Sequence, residues 1–349
     1  MTAKKYFYSL AMILFAFMAL NLAMWHLFSK KIFIGGDLSR MGSFAGTDSL
    51  TPLADYSRRH IEFRDYIRSE NLESFDIITL GDSFTNGVGG NYYQDYLTDK
   101  YGLSVLNFRI RENPIEDLYI LINSGLLYEL KPRVIILESV ARYVNSRLGR
   151  TEIQANSVKS DIVPYPANNN ASQNLAAGLF APIMIQANYN YVHGKFYSLS
   201  HPEQLSPAVY INTLDRKFFT NPGQENILLS YHEDLIYMHE AFNPAMIHAN
   251  LNNAAKILHE KNIKLVFMPC VDKYDLYFPY IINKHGRPEN NLFAELDSMP
   301  GKNYIFVNTK KILRKALERG EKDLYWFGDT HWSWRGFEMV CDEFVREIL

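Results

Sequence analysis

The chain reads as an α/β protein built on a doubly wound, five-stranded parallel sheet, and three observations predict this. Short apolar runs recur at 75–83, 104–110, 133–138, 264–270 and 304–308. They are too brief for helices and rich enough in Ile, Val, Leu and Phe for buried strands. Longer stretches with helical spacing separate them, and strands that alternate with helices pair in parallel. Hydrophobic residues make up 47% of the 349, enough for one sizeable core and too many for a disordered chain.

Taken in order, the chain opens with Lys4-Lys5, then 23 residues from Tyr6 to Phe28 without Asp, Glu, Lys or Arg, closed by Lys30-Lys31. Helical rise makes that run long enough to cross about 30 Å of hydrocarbon. It is longer than the apolar part of a cleavable signal peptide and ends in bulky Met24-Trp25-His26-Leu27-Phe28. Residues 1–31 are therefore expected to be an uncleaved, single-pass membrane anchor. The flanking lysines balance, but a short amino-terminal tail before a large domain leaves that domain outside the cytoplasm. Residues 32–74 read as a linker and a leading helix, and 75–349 as the main domain.

Within that domain the first strand, 75–83, leads through a glycine-rich loop to a helix at Tyr92–Lys100. The second strand precedes a helix from Pro114 to about Leu130, with proline at a favourable first-turn site. After the third strand the pattern breaks. Residues 145–237 are rich in Asn, Ser, Pro and Tyr, include Asn168-Asn169-Asn170, and show no clean period. They are expected to form an insertion over the carboxyl edge of the sheet, holding short helices. Regular spacing resumes with a helix at 245–261, the last two strands, a helix at 311–318 and a final helix from Trp334.

A net charge of −2 gives no bulk attraction to nucleic acid. There is no phosphate-binding Gly-x-x-x-x-Gly-Lys-Ser/Thr loop and no His-Glu-x-x-His helix. Gly87-Val88-Gly89-Gly90 lacks the spacing of a dinucleotide loop. No cofactor and no metal are expected. Two cysteines, Cys270 and Cys341, allow one bridge at most, and their positions suit two free buried thiols.

The chemistry is read at the two ends of the domain. The first strand stops at Gly81-Asp82-Ser83, where Gly81 permits a sharp turn and Ser83 stands at the carboxyl end of a strand. A serine hydroxyl becomes a nucleophile when a base takes its proton. Near the carboxyl terminus, Phe327-Gly328-Asp329-Thr330-His331-Trp332-Ser333 offers an imidazole, which titrates near neutrality, and a carboxylate two residues before it. Ser83, Asp329 and His331 follow the chain order of α/β hydrolytic triads. The plainer readings are a helix cap for Ser83 and for Asp329, although Ser333 suits the second cap better. Asp82 is assigned to turn hydrogen bonding, and Trp332 to walling off water.

This pair of motifs resembles the SGNH (GDSL-type) hydrolase superfamily, and Asp329-Thr330-His331-Trp332 resembles its alginate O-acetyltransferase-like branch. The resemblance spans roughly 75–349. It implies a sheet order 2-1-3-4-5 with Ser83 at the switch point. It also implies acetyl transfer to polysaccharide hydroxyls through an acyl-serine, on the periplasmic side of an inner membrane. A multi-spanning membrane O-acyltransferase would be the partner that supplies the acetyl group. An acetyl esterase with the same triad, a D-alanyl-transfer protein and a degenerate glycan-binding or export accessory protein are the alternatives.

The chain departs from the superfamily where a glycine and an asparagine complete the oxyanion hole. It has Asn107-Phe108-Arg109-Ile110 after the second strand and Glu138-Ser139-Val140-Ala141-Arg142-Tyr143 after the third. The backbone amide of Ser83 is the one donor named. Glu138 and Arg142, four apart, are expected to pair with each other, or Arg142 to face the site. Asp272-Lys273-Tyr274 resembles a branch segment near the sugar, which makes Lys273 and Tyr274 candidate substrate contacts. Tyr277 and Tyr280 suit ring stacking or plain packing equally.

Overall fold

A computed structural model describes residues 3–44, 56–68, 74–87, 92–111, 113–153, 182–284 and 286–348. The five expected strands are β2 (Ile77–Leu80), β3 (Val105–Asn107), β4 (Val134–Val140), β8 (Lys264–Cys270) and β9 (Ile305–Phe306). With β1 (Ile61–Glu62) they form a sheet in the order β1-β3-β2-β4-β8-β9, and every pairing is parallel. The sheet thus has six strands, not five. β1 escapes a sequence reading because it is two residues long, in a stretch of mixed charge from Arg58 to Asp65 that carries no period.

β2 pairs on one side with β3 and on the other with β4. The strand order reverses there, and crevices at such reversals take ligands. All residues of β2 and all seven of β4 are buried, as parallel strands covered on both faces must be. Helices Tyr93–Tyr101, Pro244–His259, Thr309–Glu318 and Trp334–Ile348 stand near their expected positions. The helix expected over Pro114–Leu130 is broken at Ser124-Gly125, where Gly125 takes φ +81° and a second short helix begins. Asn113, Asn243 and Asn308 cap three helices by accepting from the amides of Ile115, Met246 and Lys311. Cys270 and Cys341 are both buried and free.

Between β4 and β8 the described residues hold more than short helices. They include a 19-residue helix, Pro182–Ser200, and an antiparallel sheet of β5 (Gln204–Ser206), β6 (Val209–Thr213) and β7 (Ile227–Tyr231). The hairpin of β6 and β7 is hidden in sequence because its connection, 214–226, is long and has no two-residue turn signal. Residues 154–181 of the expected insertion, Asn168–Asn170 among them, lie outside the described residues.

At the amino terminus, Ala3–Ile32 forms one 30-residue helix, long and apolar enough to cross a membrane. Many of its side chains, among them Phe7, Ile13 and Phe15, stand exposed, while Trp25, Ser29 and Ile32 near its end are buried. Residues 32–74, expected as linker and leading helix, take part in the fold where described. The turn of helix Asp37–Gly42 buries Leu38 fully and packs on the small antiparallel sheet. Phe63 is buried against Phe108 in the main core.

Candidate active site

β2 ends at Leu80 and the chain turns at Gly81, where a Cβ would overlap the side chains of Thr85 and Glu138. No larger residue fits so sharp a turn beside β4. Glu138 lies on β4 and accepts from the Asp82 amide at 2.9 Å and from Thr85 Oγ1 at 2.9 Å through the same oxygen. Burial, and after it the charge of Asp82, hold the Glu138 carboxyl well above the usual range. Asp82 is pushed up by burial but held below the usual carboxylate range by Arg147. It accepts from Arg147 Nη1 at 2.6 Å, from the Val140 amide at 2.9 Å and from the Phe84 amide at 3.3 Å. These bonds pin the turn to the end of β4 and leave Ser83 exposed above it.

The second half of the site is the loop from Tyr325 to Trp332, closed by a bridge between those two residues. Asp329 Oδ1 accepts from the His331 amide at 3.0 Å and from His331 Nδ1 at 2.5 Å. The two-residue spacing does this work: an aspartate readily bonds the backbone two residues on, and here the ring at that position turns to the same oxygen. His331 Nε2 then stands 2.7 Å from Ser83 Oγ, across 248 positions of sequence. The carboxylate is buried, the imidazole is partly buried with 12% of its side chain exposed, and the serine is exposed, so the nucleophile is the most open of the three. Burial opposes the charge on both. For Asp329, His331 outweighs it and brings the carboxyl down to about 2. For His331, burial pushes the ring down, but Asp329 and then Asp37 raise it above 6.5 overall.

Asp37, a residue that sequence reasoning missed, closes the site from the side of the amino-terminal helix. Its amide donates to Asp329 Oδ2 at 3.0 Å, and its carboxylate lies 3.8 Å from His331 Nδ1. Asp37 accepts from the Thr330 amide at 2.8 Å and from the Thr330 hydroxyl. Gly36 makes the approach possible, with φ +102° and no room for a Cβ beside Gly328 and Asp329. Burial, and then the charge of Asp329, raise the Asp37 carboxyl. Asp37, Asp329 and His331 bring one ligand atom each within 4.8 Å of one another. Those atoms already hold the hydrogen bonds just described, so a cation would have to displace them.

The four other expected residues make contacts of a different kind. Arg142 does not pair with Glu138. Its guanidinium bonds Asp272 and, at 3.2 Å, Asp234, and its amide donates to Asp272 Oδ2 at 2.9 Å. Its side chain, 11% exposed, is held among carboxylates, and its charge reaches His331. Lys273 is 1% exposed, and its Nζ donates to the carbonyls of Trp326, Phe327 and Asp329 at 2.8, 2.8 and 3.0 Å. It shapes the loop that carries Asp329. Tyr274 is fully buried. Trp332 is buried too, donates to Tyr325 Oη at 2.8 Å, and meets the site through Phe84, whose ring lies 5.2 Å from Trp332 and 4.8 Å from His331. Tyr277 is buried and Tyr280 packs on Phe218, so packing accounts for both. The common cause is burial: a motif beside a strand end does not say which way its side chains turn.

No family model matches the chain, and no curated protein or solved structure is significantly similar to it.

Proposed function

We propose that this chain is a membrane-anchored acyltransferase of the SGNH type, which moves an acetyl group to a polysaccharide hydroxyl through an acyl-serine. The observation that carries the reading is the continuous relay from exposed Ser83 Oγ through His331 to buried Asp329. His331 Nε2 takes the Ser83 proton as Oγ adds to the acyl carbonyl, and the Ser83 amide stands as a donor to the oxyanion. The imidazolium, stabilised by Asp329 and Asp37, returns that proton to the leaving oxygen as the carbon–oxygen bond breaks. A sugar hydroxyl then gives its proton to His331, attacks the acetyl-serine and leaves as the ester, with Ser83 reprotonated.

The helix Ala3–Ile32 supports placing this chemistry at a membrane, with the domain on the periplasmic side of an inner membrane. A multi-spanning membrane O-acyltransferase is the proposed acetyl donor. The test uses the full chain in detergent with a chromogenic acetyl ester, with and without an oligosaccharide acceptor. Acetylated sugar that vanishes in Ser83→Ala, with a serine-directed phosphonate labelling Ser83, is the expected result. Acetate release that ignores the acceptor would make the protein an esterase. Full activity in Ser83→Ala would overturn the acyl-enzyme altogether.

A further inference from the structure

We propose that the helix Pro182–Ser200 is a second membrane contact, seated in lipid beside the anchor with its amino-terminal half deepest. The inference rests on reading Ala3–Ile32 as a membrane span.

The first observation is an uncovered apolar stripe. Ile185, Tyr189, Val192, Phe196 and Leu199 are 42, 62, 40, 70 and 81% exposed, and steps of four, three, four and three residues put them on one helix face. The second is where that helix sits. Asn188 Nδ2 donates to the backbone oxygen of Asn21 at 2.8 Å and to its side-chain oxygen at 3.1 Å. The rings of Phe28 and Tyr191 stack at 5.3 Å. Gly194 lies so close to Ser43 that a Cβ there would press on the Ser43 side chain.

Asn188 meets the earlier anchor residue, Asn21, and Tyr191 meets the later one, Phe28, so the amino-terminal half of the second helix lies on the deeper side. Asn21 is nine residues before Lys30, about 13 Å deeper in the bilayer by helical rise. The exposed stripe is thus continuous with the exposed apolar surface of the anchor. An Asn–Asn contact between helices is also a familiar way of joining them where water is absent.

The third observation is composition. Residues 182–200 contain no acid, and Lys195 is the one Lys or Arg. Tyr189, His193, Tyr197 and His201 stack along one edge at 5.8, 6.2 and 4.1 Å. Such rings, apolar in body and polar at the tip, suit the boundary between hydrocarbon and headgroups. The occupant of the stripe is therefore lipid.

The test places the full chain in phosphatidylcholine vesicles, with and without brominated acyl chains. One environment-sensitive fluorophore is attached at a time to Ile13→Cys, Ile185→Cys, Phe196→Cys or Tyr128→Cys; the two native thiols are buried. Brominated lipid is expected to quench the labels at 13 and 185, to quench 196 more weakly, and to leave 128 unchanged. Quenching at 13 with 185 and 196 behaving like 128 would overturn the proposal and leave the anchor standing. A blue-shifted label at 185 that brominated lipid does not quench would mean that protein covers the stripe, a second copy or a membrane partner, and would also overturn it. An unquenched label at 13 would remove the anchor reading itself.

Discussion

His331 and His60 each present Nδ1 to a buried carboxylate, 2.5 Å from Asp329 Oδ1 and 2.6 Å from Asp95 Oδ1. They part company at Nε2. His331 turns that nitrogen to the hydroxyl of an exposed serine, whereas His60 turns it to Glu62 Oε1 at 3.0 Å. Burial pushes the His60 ring down, but Asp95 and Glu62 together bring it up to about 9. His60 is thus an imidazolium at neutral pH with both nitrogens donating, and it cannot accept a proton. A buried His–Asp pair is therefore not in itself a base. The group at the second nitrogen, and whether that group meets solvent, decides between catalysis and structure.

The largest effect that would break this contrast comes from removing each carboxylate's charge. Asp329→Asn is expected to lower kcat by on the order of 10⁴-fold, because an amide in that place favours the wrong ring tautomer. Asp95→Asn should change kcat by less than about tenfold while lowering the thermal midpoint, since it uncouples a buried pair away from the serine. Equal losses of kcat in the two variants, each still folded by circular dichroism, would refute the division of roles.

A second effect separates the pairs by pH. The His60 pKa is raised in the folded chain, so its contribution is fully present below about pH 6.5 and lost as pH rises through about 9. The shift corresponds to about 3 kcal/mol. Urea unfolding between about pH 6 and about pH 10 should show His60→Gln losing less stability across that interval than the parent chain. A parallel decline in both would mean that His60 holds no charge of structural consequence.

The residues that carry the proposed chemistry were legible because residue type and place were enough. A serine just past a short buried strand, and a His two residues after an Asp, each name a role without neighbours. Five of the six strands were also within reach, since short apolar runs alternate with helices, while their order 2-1-3-4-5 came only with the resemblance. What stayed hidden depends on distant contacts. Lys273 and Tyr274 follow a strand end just as Ser83 does, yet their side chains turn inward, and nothing local distinguishes the two outcomes. Arg142 was read against its neighbour Glu138, but its partners Asp234 and Asp272 lie 92 and 130 positions away. Asp37 is the clearest case. It sits in a short polar stretch just after the amino-terminal helix, and only the close approach at Gly36 brings it to a loop 292 residues on.

That approach yields the smallest and sharpest prediction. The Asp37 amide holds Asp329 whatever side chain follows, while the Asp37 carboxylate acts on His331 through charge, raising its pKa alongside the larger effect of Asp329. Asp37→Asn keeps the backbone bond and removes the charge. The imidazolium is then less favoured, so the His331 pKa falls and the free base persists to lower pH. The acid limb of the kcat/KM profile should move to lower pH, with KM at the plateau unchanged. A limb that stays in place, or moves upward, would mean that Asp37 acts only as a strut, and the site would reduce to the three residues named first.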